Sequence, residues 1–231
     1  MQNISTEKQK GNLAKPLLPL VVGGLTITCE DNMELMSRYP DNYFDLAIVD
    51  PPYGIDVNKM NLGDKGGKKK SHKKDGKTWD NETPSQEYFD ELFRVSKNQI
   101  IWGANYMIDK IKKPSMGWFY WDKQNGDSDF SDGELAYTSF DRALRSYKYH
   151  LSKDRDSRFH PTQKPSHLYK KLLDLYAKQG DKILDTHLGS GSIAIACHDY
   201  KFELTACELD PEYFEKSKQR IINHVAQQSL F

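Results

Sequence analysis

Asp50-Pro51-Pro52-Tyr53 follows the apolar run Phe44-Asp45-Leu46-Ala47-Ile48-Val49, so an acid, two prolines and an aromatic ring close a segment that reads as a buried strand. A carboxylate and a proline-fixed backbone carbonyl can accept both hydrogens of an exocyclic amino group. The neighbouring aromatic face can stack on the ring that carries that group. This is equipment for methylating an amino nitrogen on a nucleobase. Taken alone, a strand ending in Asp-Pro is also an ordinary turn whose aspartate caps backbone amides.

A second constellation lies far downstream. Lys182-Ile183-Leu184-Asp185 is a short apolar strand, followed by Thr186-His187-Leu188-Gly189-Ser190-Gly191-Ser192 and the helical run Ile193-Ala194-Ile195-Ala196-Cys197. Strand, glycine loop and helix form a nucleotide-cofactor cradle, because glycines admit close approach of a ligand and the helix start offers free amides. A further strand, 202 to 207, ends in Glu208, 17 positions after Gly191, where an acid can accept both ribose hydroxyls. The loop lacks the third glycine of the dinucleotide fingerprint, so a nicotinamide cofactor fits less well.

With His160-Pro161-Thr162-Gln163-Lys164-Pro165 as a third anchor, the chain from about Thr26 to Ile222 resembles the S-adenosylmethionine-dependent DNA amino-methyltransferases of the permuted beta group. In that family the Asp-Pro-Pro-Tyr turn precedes the cofactor loop, as here. The resemblance implies a catalytic set of Asp50, Pro51, Pro52 and Tyr53. It also implies S-adenosyl-L-methionine held by Asp31, Lys164, Asp185, His187, Gly189, Ser190, Gly191 and Glu208. Two departures stand out: Glu30 replaces a glycine before Asp31, and Asp185-Thr186-His187 replaces Asp-Pro-Phe. By the same resemblance, aspartate rather than serine at position 50 implies the N6 of a flipped adenine in double-stranded DNA, with cytosine N4 as the alternative. An RNA base methyltransferase would place its glycine loop before the catalytic turn. A non-catalytic DNA-binding module would have no use for an intact Asp50 to Tyr53.

These motifs require an α/β frame. Strands are expected near 25–29, 44–49, 99–102, 117–121, 134–139, 182–185 and 202–207, with helices near 31–38, 84–97, 165–179, 191–199 and 211–225. Thr83-Pro84-Ser85-Gln86 reads as a capping box with proline at the first helical position, and Asp210-Pro211 as a cap followed by proline. Phe214, Ile221, Ile222 and Val225 share one helical face and read as core. The resemblance implies a Rossmann-like, mostly parallel seven-stranded sheet with an antiparallel pair between Gly117 and Phe140, in a single domain spanning 1–231.

Composition agrees with a cytoplasmic enzyme: 231 residues, 37% hydrophobic and 29% charged, can bury one full core, and no apolar stretch approaches membrane-spanning length. Cys29, Cys197 and Cys207 read as reduced packing residues. Neither they nor the seven histidines show metal-ligand spacing, so no metal is expected.

Net charge is zero, yet 58–77 carries eight lysines against Asp64 and Asp75. This stretch reads as part of a mobile loop, 58–80, in which Lys68, Lys69, Lys70, Lys73 and Lys74 attract DNA phosphates; a solvated insertion without a role is the bland alternative. A short basic-aromatic segment, 140–160, stands where the family places target recognition, with Arg142, Arg145 and Lys148 as DNA contacts. Asn105, Tyr106, Trp121 and Lys123 are weaker pocket candidates. Family members are often dimers, so a homodimer is expected. The tail Gln227-Gln228-Ser229-Leu230-Phe231 resembles a bacterial sliding-clamp-binding pentapeptide in Gln227, Leu230 and Phe231, although two terminal apolar side chains also suit packing on the protein's own surface.

Overall fold

A computed structural model describes residues 17–56, 79–126, 131–151 and 158–228. Lys68, Lys69, Lys70, Lys73 and Lys74, most of the 58–80 loop, and Leu230 and Phe231 lie outside the described residues. Gln227 is exposed in the last turn of the final helix.

The chain forms one nine-stranded mixed sheet in the order β1-β2-β9-β8-β3-β4-β6-β5-β7. Five neighbouring strands are parallel: β2 (Leu25–Cys29), β9 (Glu203–Glu208), β8 (Lys182–Asp185), β3 (Phe44–Val49) and β4 (Ser96–Trp102). Beyond β4, the strand β6 (Gly133–Thr138) runs antiparallel to both β4 and β5 (Trp118–Asp122), as expected between Gly117 and Phe140.

The expected seven strands are exceeded by two. β1 (Leu20–Val22) pairs antiparallel with β2 across Gly23-Gly24, both at positive φ, a two-residue turn that glycine makes without strain. β7 (Arg145–Lys148) lies at the opposite edge, parallel to β5. The segment expected to be a target-recognition insertion is thus partly sheet. Arg145 and Lys148 are exposed there. Arg142 instead donates to the Leu175 carbonyl and lies over the Tyr176 ring, tying this segment to a helix.

Two hydrophobic layers sandwich the sheet because β3 is apolar in both phases of its alternation. Leu46 and Ile48 face a layer built by α3 (Ser166–Tyr176), α4 (Ser192–Tyr200) and α5 (Pro211–Gln228). Ala47 and Val49 face α1 (Asn32–Ser37) and α2 (Gln86–Val95). Helix boundaries differ from expectation at α2. The helix begins at Gln86 with Ser85 at the cap, so Pro84 precedes the cap rather than occupying the first turn, and the Ser85 side chain makes no capping hydrogen bond to the backbone. The helix passes directly into β4 at Ser96, whose extended backbone ends it. Asp210 does cap α5, accepting from the amides of Glu212 and Tyr213. On α5, Phe214 and Ile221 are fully buried but Ile222 is exposed, because position 222 turns away from the sheet.

The connections place the ligand crevice. From β3 the chain leaves towards β4 through α2 on one face, and from β8 it leaves towards β9 through α4 on the other. The carboxyl ends of β3 and β8 therefore part at a topological switch point, where open α/β sheets bind ligands. Asp50 and Asp185 stand at those two ends.

Candidate active site

Asp50 leaves β3 with a half-buried carboxylate whose two oxygens have different partners. Oδ1 accepts from the Tyr53 hydroxyl at 2.7 Å, and Oδ2 accepts from Lys164 Nζ at 2.6 Å. Lys164, from the segment preceding α3, is almost fully buried and also reaches Glu134 at 3.0 Å. Glu134 in turn accepts from Lys123 at 2.6 Å. The result is a ladder of alternating charge, Asp50-Lys164-Glu134-Lys123, joining the end of β3 to the β5-β6 pair, where Trp121 and Glu134 are direct cross-strand partners.

The ladder sets protonation. Burial pushes the Asp50 carboxyl above its usual range, against the pull of Lys164. Burial also opposes ionisation of Glu134, but the Lys164 and Lys123 ammonium groups outweigh it and hold that carboxyl at about 2. Burial would lower Lys164, yet Asp50 and Glu134 together raise it. Lys164 was expected to hold cofactor. Its ammonium is engaged with Asp50, Tyr53 and Glu134.

Tyr53 is positioned from four sides. Its amide and that of Gly54 donate to Asp80, a buried acid, at 2.7 and 3.2 Å. Its ring stacks on Tyr106 with centroids 5.3 Å apart and planes 13° from parallel. Gly103 lies beneath: its φ is +64°, and a Cβ there would fall 2.1 Å from the Tyr53 ring, so any side chain at this position would displace that ring. Beside the two tyrosines opens a cavity of about 480 Å³ lined by Gly54, Asn81, Glu82, Thr83 and Lys110. Tyr106 is half-exposed towards it, Asn105 is exposed, and Trp121 is core, its indole donating to the Tyr149 carbonyl.

The glycine loop lies across the crevice. Gly189 and Gly191 adopt φ of +54° and +75°, and a Cβ on Gly191 would press on Ile221 at 3.1 Å. Glu208 secures this loop from the end of β9, accepting the amides of Gly189 at 2.7 Å and Asp210 at 2.9 Å. Ser190 and Ser192 hydroxyls lie 3.1 Å apart, and Arg220 donates to the Ser190 carbonyl and the Ser192 hydroxyl. Asp185 is buried, accepts from the His187 amide, and is pushed up to about 8 by burial. His187 is held neutral, burial lowering it to about 3, between Asn32 and Thr186. Asp31 caps α1 through the amides of Met33 and Glu34, next to the strand end that carries Glu208. His160 packs on Tyr213 and lies within 4 Å of where a Gly189 Cβ would be, so the 160–165 segment roofs the loop.

Sequence reasoning missed Glu134, Asp80, Gly103 and Arg220. Glu134 sits in a strand next to residues of no special pattern, and only the β5-β6 pairing brings it to Lys164. Gly103 gave the one available signal, a glycine directly after a strand.

The sequence model of the DNA methylase family matches residues 106–219, a range that takes in the 160–165 segment, the glycine loop and Glu208. Over that range the chain is similar to this family. It is 25% identical over 240 residues to the type II methyltransferase M.HpaI of Haemophilus parainfluenzae, covering 84% of this chain and 73% of that protein. Among solved structures, the M1.HpyAVI–SAM complex superposes with a TM-score of 0.56 at 19% identity, covering 85% of this chain and 98% of the other. The cytosine-N4-specific PvuII DNA methyltransferase superposes at 0.57 with 12% identity, covering 88% and 92%. The fold is therefore that of a DNA methylase, with Asp50 to Tyr53 standing outside the family-matched range.

Proposed function

We propose that the protein transfers a methyl group from S-adenosyl-L-methionine to the exocyclic N6 of an adenine flipped out of double-stranded DNA. The observation that carries this reading is the placement of Asp50 and Tyr53 at the carboxyl end of β3, across one switch-point crevice from the glycine loop, Asp185 and Glu208. The crevice suits the cofactor's charge. Glu208 would repel a polyphosphate nucleotide, whereas a ligand bearing a sulfonium and an ammonium is attracted to it and favours ionisation of Asp185. Glycines 189 and 191 leave room for an adenosyl group against the backbone, with Glu208 beside its ribose. When bound, the cofactor supplies an electrophilic methyl on a thioether leaving group.

The chain's own residues do the rest. The adenine amino group is a weak nucleophile because its lone pair is delocalised into the ring. Asp50 and the Pro51 carbonyl accept its two N–H groups, localising the pair on nitrogen as the N–C bond forms and the S–C bond breaks. For Asp50 to accept, Lys164 must let go of Oδ2, and Glu134 offers its ammonium an alternative partner. The amine proton then leaves to Asp50 or water. Tyr106, stacked on Tyr53 and half-exposed, offers its outer face to the base beside a cavity large enough to admit it. Lys68, Lys69, Lys70, Lys73, Lys74, Arg145 and Lys148 serve as phosphate contacts in this reading.

Cytosine N4 is the second reading, favoured by the similarity in fold to a cytosine-N4-specific enzyme. Expression in a methylation-free host, followed by sequencing that separates N6-methyladenine from N4-methylcytosine, distinguishes the two. N6-methyladenine absent from the Asp50→Ala strain is the expected result. N4-methylcytosine overturns the adenine assignment, and an unmodified genome despite soluble protein overturns the activity.

A further inference from the structure

At the sheet edge away from the crevice, three side chains with no readable spacing in the sequence converge. His198 and Asp199 lie in the last turn of α4, and His224 lies on the facing side of α5. One ligand atom from each comes within 4.8 Å of the other two. Asp199 Oδ1 is 2.6 Å from His224 Nε2 and 3.6 Å from His198 Nδ1. Ligand atoms around tetrahedral zinc are separated by roughly 3.3 Å, given metal–ligand bonds of about 2.0–2.2 Å.

We propose that His198, Asp199 and His224 form a binding site for a zinc-class divalent cation that cross-links α4 to α5. A plain ion network of Lys170, Asp199 and His224 accounts for part of the cluster, since Lys170 Nζ is 2.5 Å from Asp199 Oδ2. It leaves His198 unexplained. The Nδ1 of that ring is buried, makes no hydrogen bond, and faces the same carboxylate oxygen at a distance too long for one. Gly23 of the β1-β2 turn packs against this ring: a Cβ at that position would fall 3.0 Å from the imidazole Cδ2. Two imidazoles and one carboxylate are the ligand types that borderline cations such as zinc select, whereas magnesium and calcium prefer oxygen alone. Lys170 then plays the outer-shell part, fixing the carboxylate through the oxygen that the metal leaves open. A cavity of about 290 Å³ beside His198 and Asp199 gives a water access to the remaining position. The site is separated from the glycine loop by the length of α4, about 13 Å for nine residues at ~1.5 Å each, so its role is structural rather than catalytic.

Equilibrium dialysis of the tag-free full-length chain against zinc chloride tests the assignment, with magnesium chloride in parallel. The expected result is one zinc per chain and no magnesium, a thermal midpoint that rises with zinc concentration, and at least a tenfold loss of affinity in both H224Q and D199N. H224Q changes a partly exposed ring, so circular dichroism should show it folded. C29S, removing the one incompletely buried thiol, should bind zinc as the parent does. No stoichiometric zinc on the parent chain overturns the site, as does uptake unchanged in H224Q and D199N, or uptake lost only in C29S.

Discussion

Replacing Glu134 by glutamine keeps the shape of the ladder and removes one of its two negative charges. Holding a carboxyl at about 2 against an ordinary 4.5 corresponds to roughly 3 kcal/mol of preference for the ionised form in the folded protein. That agrees with the ~3–5 kcal/mol typical of breaking a buried ion pair. At ~2–4 °C per kcal/mol for a chain of this size, the thermal midpoint at pH 7 should fall by about 6–12 °C. The sign with pH is definite. Because folding lowers this carboxyl, its contribution is present above about 4.5 and lost as the pH falls from there towards 2, so parent and variant should converge over that interval. Catalysis should suffer separately. Lys164 would have only an uncharged amide to turn to when it leaves Asp50, and the difference between a charged and a neutral hydrogen bond is about 1–1.5 kcal/mol, or roughly tenfold in single-turnover rate. Differential scanning calorimetry and rapid-quench methyl transfer read the two effects. A midpoint shift below about 2 °C, or one independent of pH, would refute the charge ladder.

Cofactor binding should release close to one proton near pH 7, because Asp185, at about 8 when alone, would ionise beside a cationic ligand; calorimetry in buffers of different ionisation enthalpy measures it, and an absence of buffer dependence removes Asp185 from the cofactor site. The same raised carboxyl should make the ligand-free protein lose stability as pH climbs from about 4 through 8, a slope that Asp185→Asn should flatten in thermal melts. Glu208→Ala should weaken cofactor binding by about tenfold or more, through loss of a charged acceptor and release of the Gly189 amide; unchanged affinity would move the ribose elsewhere. Gly103→Ala should displace Tyr53 from Asp50 and cut transfer by at least about tenfold, since its Cβ would occupy the ring's space at 2.1 Å; full activity in a radiolabel assay would show that Tyr53 tolerates another position.

The types of the site residues, and the loops that carry them, were legible in the sequence because each is local. Asp50 to Tyr53 follows an apolar run that can only be a buried strand, and the glycines at 189 and 191 mark a loop whose backbone needs positive φ. The alternation of strands and helices likewise follows from hydrophobic period and caps such as Asp210. What one residue does to another across the fold was not local and could not be read. The motif around Lys164 is local, but its pairing with Asp50 and Glu134, which lie 114 positions before it and 30 before it in the chain, comes only from the sheet order. β7 was not legible as a strand because an exposed edge strand carries no hydrophobic alternation, only pairing with β5. His198 and His224 are 26 positions apart on separate helices, and only the packing of α4 on α5 makes neighbours of them. Local backbone preference and hydrophobic pattern act along the chain. Charge pairing and metal geometry depend on distance through space, which tertiary packing alone decides.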